Sequence, residues 1–162
     1  IDDHSVDNSR KVIGDFGNLI RPIFNDTNVG LAASCNKAFG MAFGKYIVRL
    51  DSYDYVSKDW LLILHSFIYN NKDEIDAVSS DYTEVDEKEQ FIRRKNGMTW
   101  PLACGVLFKT DDILLLGVYK EDIPREDLDF RERLLKNKKQ IYNVPVPLYR
   151  YHQHSDSKTK LL

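Results

Sequence analysis

Residues 28–54 read NVGLAASCNKAFGMAFGKYIVRLDSYD, and this stretch decides the fold. It opens in a turn, because the residues from Asn25 to Gly30 tolerate unusual backbone angles. The Ala-rich run that follows predicts a helix over residues 31–43, with Ala32, Cys35, Phe39 and Ala42 or Phe43 on one face at spacings of three and four. Gly44 stands where such a helix stops. Residues 46–50, Tyr-Ile-Val-Arg-Leu, then carry a strong strand signal that ends on Asp51. A helix, a strand and an acid at the strand's end form a unit of an α/β domain, where ligands bind beyond the carboxyl ends of strands.

The same alternation extends outward. On the N-terminal side, residues 1–3 read as the end of another strand, again closing on acids, Asp2 and Asp3. Residues 9–18 predict a short helix, and 20–24, interrupted by Pro22, a short or edge strand. On the C-terminal side, a helix is expected over 57–71, with Ser57 as N-cap and Leu61, Leu64 and Ile68 on its apolar face. Residues 77–80 read as a short strand and the charged 81–96 as a solvent-facing hairpin. A strand over 103–109 leads into a short helix over 110–116. An amphipathic helix over 126–137 points Leu128, Leu134 and Leu135 inward. Residues 141–151, with Pro145 and Pro147, are expected to be extended and edge-like. The first strands suggest a sheet that starts out parallel.

Bulk composition narrows the function classes. The 162 residues are the size of one domain, and 23 basic against 25 acidic residues leave a net charge of -2. A chain so balanced has no global attraction for nucleic acid or anionic lipid. Cys35 and Cys104 are far apart, fit no metal-ligand spacing and are too few for a disulfide scaffold, so both read as buried free thiols in a reducing compartment. No apolar run approaches the roughly 20 residues that span a bilayer.

Acids at two strand ends suit a ribose hydroxyl, a base N–H or a divalent cation on a diphosphate. Helix capping is the competing reading, and for Glu126, Asp127 and Asp129 at the start of the last helix it is the stronger one. The functional alternative there is a general base.

Four segments together carry a resemblance. Residues 1–9, IDDHSVDNS, look like the VDDGS-T-D-S segment of family 2 glycosyltransferases of the GT-A type. Residues 28–54 are similar to that family's N-x-G…A-x-N…A-x-G-K-Y-I-x-x-L-D-x-D-D run. Residues 125–133, REDLDFRER, resemble its E-D-x-D-x-x-x-R motif, and 148–155, LYRYHQHS, its L-Y-x-Y-R-x-H-x-S end. The order is the family's and nearly the whole chain is covered.

The resemblance implies a GT-A fold, a Rossmann-like mixed sheet flanked by helices, with a nucleotide-binding part over 1–56 and an acceptor and catalytic part over 97–162. It implies an inverting transferase that moves a sugar from a nucleoside diphosphate-sugar to a hydroxyl of a glycan or lipid-linked acceptor, in bacterial polysaccharide assembly. Asp2, Asp3, Asn28, Asn36 and Asp51 would bind the donor, and Asp127 would be the catalytic base. Trp100, Gly105 and Glu126 would lie at the acceptor, and Arg133 would brace the last helix. Asp51, Asp54 and His154 would hold Mg²⁺ or Mn²⁺. The implied location is the cytoplasm, up to the inner face of the membrane, with no nucleic-acid partner and with a homo-oligomer left open.

The departures are specific. His4 replaces the family's glycine, Tyr53 replaces the metal-binding acid of L-D-x-D-D, and His152 replaces an Arg. The strand and helix that precede the acidic pair in the family are expected to be missing here. A catalytically impaired GT-A-like binding domain is therefore the first alternative. A nucleotidyltransferase is the second, weakened because no Gly-rich, basic phosphate loop is visible.

Overall fold

A computed structural model of the chain describes residues 1–102 and 104–153. The elements in order are α1 (Ser9–Asp15), a 3-10 turn (Gly17–Leu19), α2 (Leu31–Gly40), β1 (Tyr46–Val48), β2 (Tyr55–Val56), α3 (Trp60–Asn70), β3 (Ala77–Val85), β4 (Phe91–Lys95), β5 (Leu107–Lys109), α4 (Thr110–Leu116), α5 (Glu126–Lys136) and β6 (Ile141–His152). The strands form one mixed sheet in the order β1-β5-β3-β6-β2, with β4 paired to β3. Among the named strands, only β3 and β6 run parallel; the Asp2–Phe24 bridge is also parallel. The first pairing along the chain, Asp2 with Phe24, is parallel as expected, and the sheet is mixed because β5 meets both β1 and β3 antiparallel.

Helices cover both faces. On one, Trp60, Leu64 and Ile68 of α3 pack over Val78, Leu107, Val144 and Tyr149. On the other, Cys35 and Phe39 of α2, Ile113 of α4 and Phe130 and Leu134 of α5 close over Ala77, Val106 and Phe108. Strand β3 lies between these layers, so even its polar residues are buried, and each acid is matched. Asp81 is held by Arg94, Asn96 and Asn143, and Glu84 by Arg93 and Lys95.

Several expectations shift. The α2 helix ends at Gly40, so Gly44 stands beyond its cap rather than in it. The α3 helix begins at Trp60, after Ser57 has accepted the Trp60 N–H at its carbonyl, and this start buries Trp60 and leaves Leu61 half-exposed. In α5 the inward residues are Phe130 and Leu134, whereas Leu128 and Leu135 are exposed, because the aromatic ring fills the space over Phe108. Residues 104–106 do not join the β5 strand, since Gly105 turns the chain at φ +78. The 20–24 segment contributes a single bridge at Phe24.

Strand β6 pairs β3 along its length, and β2 joins it on the other side only at Tyr149 and Arg150. Among the described residues, the stretch that carries Pro145 and Pro147 therefore has β3 as its one strand partner and is edge-like as expected. The β3–β6 register slips on either side of Asp81, opposite Pro147. The hairpin over 81–96 is present as β3–β4, although it starts from a nine-residue buried strand.

Candidate donor and acceptor site

Beyond the end of β1 the chain turns back through residues 49–54, and Asp54 N–H donates to the Asp51 carbonyl to close that turn. Arg49 and Asp51, two apart in an extended segment, share a side, and the guanidinium grips the carboxylate with two bonds. Nε donates to Oδ1 at 2.6 Å and Nη2 to Oδ2 at 2.8 Å. Burial alone would lower the Arg49 pKa, but the bonds to Asp51 outweigh it and hold the side chain firmly charged. The third guanidinium nitrogen, Nη1, is buried without a hydrogen bond, with Glu126 Oε1 3.8 Å away. Arg49 thus stands between the acid that ends β1 and the first residue of α5.

Asp54 is the second acid of this turn. Its Oδ2 accepts a 2.6 Å bond from the Tyr149 hydroxyl and a longer one, 3.7 Å, from the Cys104 thiol. Its Oδ1 accepts the His152 N–H at 2.9 Å. Burial raises the Asp54 pKa against these bonds, which pull it down. Ligand atoms of Asp51, Asp54 and Cys104 lie within 4.8 Å of one another. Burial also pushes the Cys104 thiol up, so it stays protonated at neutral pH. Tyr53 is mostly exposed beside them, at 66%.

The acidic pair at the start of the chain is tied inward. Asp2 is buried, bridged to Arg10 at 2.8 Å, and accepts the Ser5 N–H. Asp3 accepts the Val29 and Gly30 N–H groups at 2.9 and 2.8 Å and the Asn25 amide at 2.8 Å. Desolvation opposes ionisation of Asp3, but these donors outweigh it and hold its pKa below the ordinary range. Asn28 donates to the Asp3 carbonyl. His4 sits between pair and turn at φ +67, a left-handed conformation that favours glycine.

Arg125 enters α5 at φ +71, and the helix begins with Glu126 and Asp127. Asp127 has Arg125 Nε at 3.8 Å, and among the described residues no hydrogen bond reaches its carboxylate. It lines a cavity with Pro101, Leu102, Tyr119 and Phe130. Asp129 pairs with Lys120 and Arg133. Arg133 in turn donates to the carbonyls of Leu116, Gly117 and Val118, fastening α5 to the end of α4. Asn36 ties α2 to the same connection through Tyr119 and Glu121.

Trp100 is 57% exposed with Lys95 Nζ 4.7 Å above its ring, so it is no core residue. Gly105 is buried against the Tyr149 ring. His154 lies outside the described residues. The structure therefore brings Asp51 and Glu126 to Arg49, with Asp54 beside Asp51. Asp127 sits next to them, and Asp2 and Asp3 lie below the turn that starts α2. The sequence reading missed Arg49, Cys104 and Tyr149. For Arg49, the signal was an Arg two residues before an acid at a strand end. For the other two there was none, because they arrive from about 50 and 95 residues away.

Comparison with known proteins agrees with this architecture. The family model described as Glycosyl transferase family 2 matches residues 1–136. No curated protein matches the chain. The crystal structure of S. aureus TarS 1–349 in complex with UDP-GlcNAc superposes with a TM-score of 0.81 at 17% identity, over 99% of this chain and 50% of that one. TarS 1–349 without that description gives 0.77 at 18%, over 93% and 49%, and S. aureus TarS gives 0.78 at 18%, over 94% and 30%. The chain thus spans about half the length of the TarS 1–349 structures. These likenesses show a GT-A fold, and the family match covers most of the sequence: the chain belongs to glycosyl transferase family 2.

Proposed function

We propose that this domain transfers a sugar, with inversion, from a nucleoside diphosphate-sugar held at Asp51 to an acceptor hydroxyl deprotonated by Asp127. The observation that carries the reading is the contrast between the acids. Asp2, Asp3, Asp51 and Asp54 are each engaged by internal donors, while Asp127 lines a cavity with no hydrogen bond to its carboxylate among the described residues. A base must be free to take a proton, and Asp127 is the acid in position to do so. Family membership and the fold shared with a UDP-GlcNAc complex of TarS support a uridine donor for the first trials.

In the transfer, the acceptor oxygen forms a bond to the anomeric carbon on the face opposite the leaving group. Its proton passes to Asp127, and the anomeric C–O bond breaks with its electron pair leaving on the nucleoside diphosphate. Trp100, exposed beside the segment that lines the Asp127 cavity, offers a flat apolar face for a glycan or lipid-linked sugar. Asp2, Asp3 and Asn28 shape the donor side through the backbone they hold, and Asn36 fastens α2 to the connection ahead of α5.

The donor set fits a divalent cation carried with the nucleotide. Mg²⁺ and Mn²⁺ take oxygen ligands and are commonly held by one or two carboxylates plus phosphate oxygens. Asp51 is one-third exposed and Asp54 is close by, so these two would hold it, while the soft sulfur of Cys104 suits a hard cation poorly. Such an ion would supply charge neutralisation of the leaving diphosphate.

The reading is tested by incubating the chain with UDP-, GDP- and dTDP-sugars and Mn²⁺, following nucleoside diphosphate release, and repeating with Asp127→Asn. Release should fall by about 10²–10⁴-fold in the variant while donor binding is retained. Undiminished release in Asp127→Asn would remove Asp127 from the role of base.

A further inference from the structure

Asp51 has two claims on it. As the acid that ends β1 it is the carboxylate positioned to hold a cation, yet both its oxygens are gripped by Arg49 at 2.6 and 2.8 Å. The pair is asymmetric: the Arg49 side chain is 13% exposed and that of Asp51 33%, so the cation of the pair is buried and the anion faces out. A bidentate guanidinium–carboxylate contact is among the stronger pairings available to either group. A divalent ion placed on Asp51 would sit within a few ångströms of that fixed positive charge and be repelled by it.

The guanidinium also has a place to go. Its Nη1 is left without a hydrogen bond although the Tyr119 hydroxyl neighbours the guanidinium, and Glu126 Oε1 stands 3.8 Å from it, too far for a bond. An unmade bond on a buried charged group is costly, so this gap favours any state that closes it. Glu126 is itself only 12% exposed and is the first residue of α5, directly before Asp127.

We infer that Arg49 is a positioning residue that competes with the divalent cation for Asp51 and, when displaced, is taken over by Glu126. In the free chain Arg49 neutralises Asp51 and keeps cation affinity low, so the ion is held firmly only together with a diphosphate. On that event Asp51 releases Arg49, Arg49 bonds Glu126, and the start of α5, which carries Asp127, is fixed. Donor loading and acceptor-side order become one exchange of partners. This rests on Asp51 as the cation-holding acid.

The experiment is a Mn²⁺ titration of the full chain with no nucleotide, following free Mn²⁺ by electron paramagnetic resonance, with folding checked by circular dichroism. Arg49→Met, which keeps an apolar stem and removes the charge, should bind Mn²⁺ at least about tenfold more tightly than the parent. Arg49→Lys, whose ammonium cannot span both oxygens, should shift the same way by a smaller factor and serves if the Met variant does not fold. Glu126→Gln should weaken Mn²⁺ binding, because the released guanidinium loses its charged alternative. Unchanged or weaker binding in both Arg49 variants would overturn the competition. Unchanged or tighter binding in Glu126→Gln would overturn the exchange. If tighter binding in Arg49→Met survives addition of Asp51→Asn, the ion is not on Asp51 and the donor-site reading itself fails.

Discussion

The hydroxyl of Tyr149 donates a 2.6 Å hydrogen bond to Asp54 Oδ2 across 95 residues of sequence, joining β6 to the turn that follows β1. Gly105 lies on the face of the same ring: a Cβ there would stand 2.7 Å from Tyr149 Cδ2. The acid, the phenol and the glycine form one packed unit under the candidate donor site.

Gly105→Ala therefore combines a clash with a left-handed backbone at φ +78. The expected cost is about 2–4 kcal/mol of stability by urea unfolding. Displacement of the Tyr149 ring should also weaken nucleotide binding. Wild-type stability in this variant would show that the ring can move aside freely.

His4 is exposed and left-handed, at φ +67. An L side chain pays for that conformation and glycine does not, whereas glycine has more unfolded-state freedom to lose. His4→Gly should thus stabilise the chain by roughly 0.5–1 kcal/mol, read as a higher urea midpoint at unchanged slope.

Asp3 gives a pH dependence with a definite sign. Donors from Val29, Gly30 and Asn25 hold its folded pKa below the ordinary 3.8. Its contribution is therefore present above the unfolded value and is lost as pH falls through the depressed folded value. In a series of melts from pH 7 to acid, Asp3→Asn should be less stable at pH 7 and should lose less stability than the parent below about pH 4.

Arg133 holds three backbone carbonyls in the connection after α4, besides its pair with Asp129. Arg133→Met leaves those acceptors without their donor and should cost about 3 kcal/mol in chemical unfolding. Hydrogen exchange should rise first in residues 116–119, the segment the guanidinium holds.

The sequence shows the unit around β1 plainly because its signals are local. The helical period of α2, the β-branched strand and the terminal acid all lie within 27 residues, and the bounds of α4 coincide with those expected, Thr110–Leu116. The edge character of the proline stretch of β6 was legible, since Pro145 and Pro147 lie where β2 does not pair it. The parallel pairing of β6 with β3 was not legible, because Ala77 and Ile141 pair across distant segments. The face of α5 was misplaced for a related reason: Leu128 and Leu135 fit a helical stripe, but Phe130 fills the space against Phe108 and Tyr119. Within the site, Asp51 and Asp127 stand out by motif. Their connection through Arg49 and Glu126 is a contact between distant segments, which periodicity does not register.

The most direct test is calorimetric titration of UDP-GlcNAc with Mn²⁺ into the chain and into Asp51→Asn, both verified as folded. The account predicts saturable one-to-one binding by the parent and at least about tenfold weaker binding by the variant. Equal affinity in the two, or no binding of any nucleoside diphosphate-sugar by the folded parent, would contradict a donor site at the end of β1.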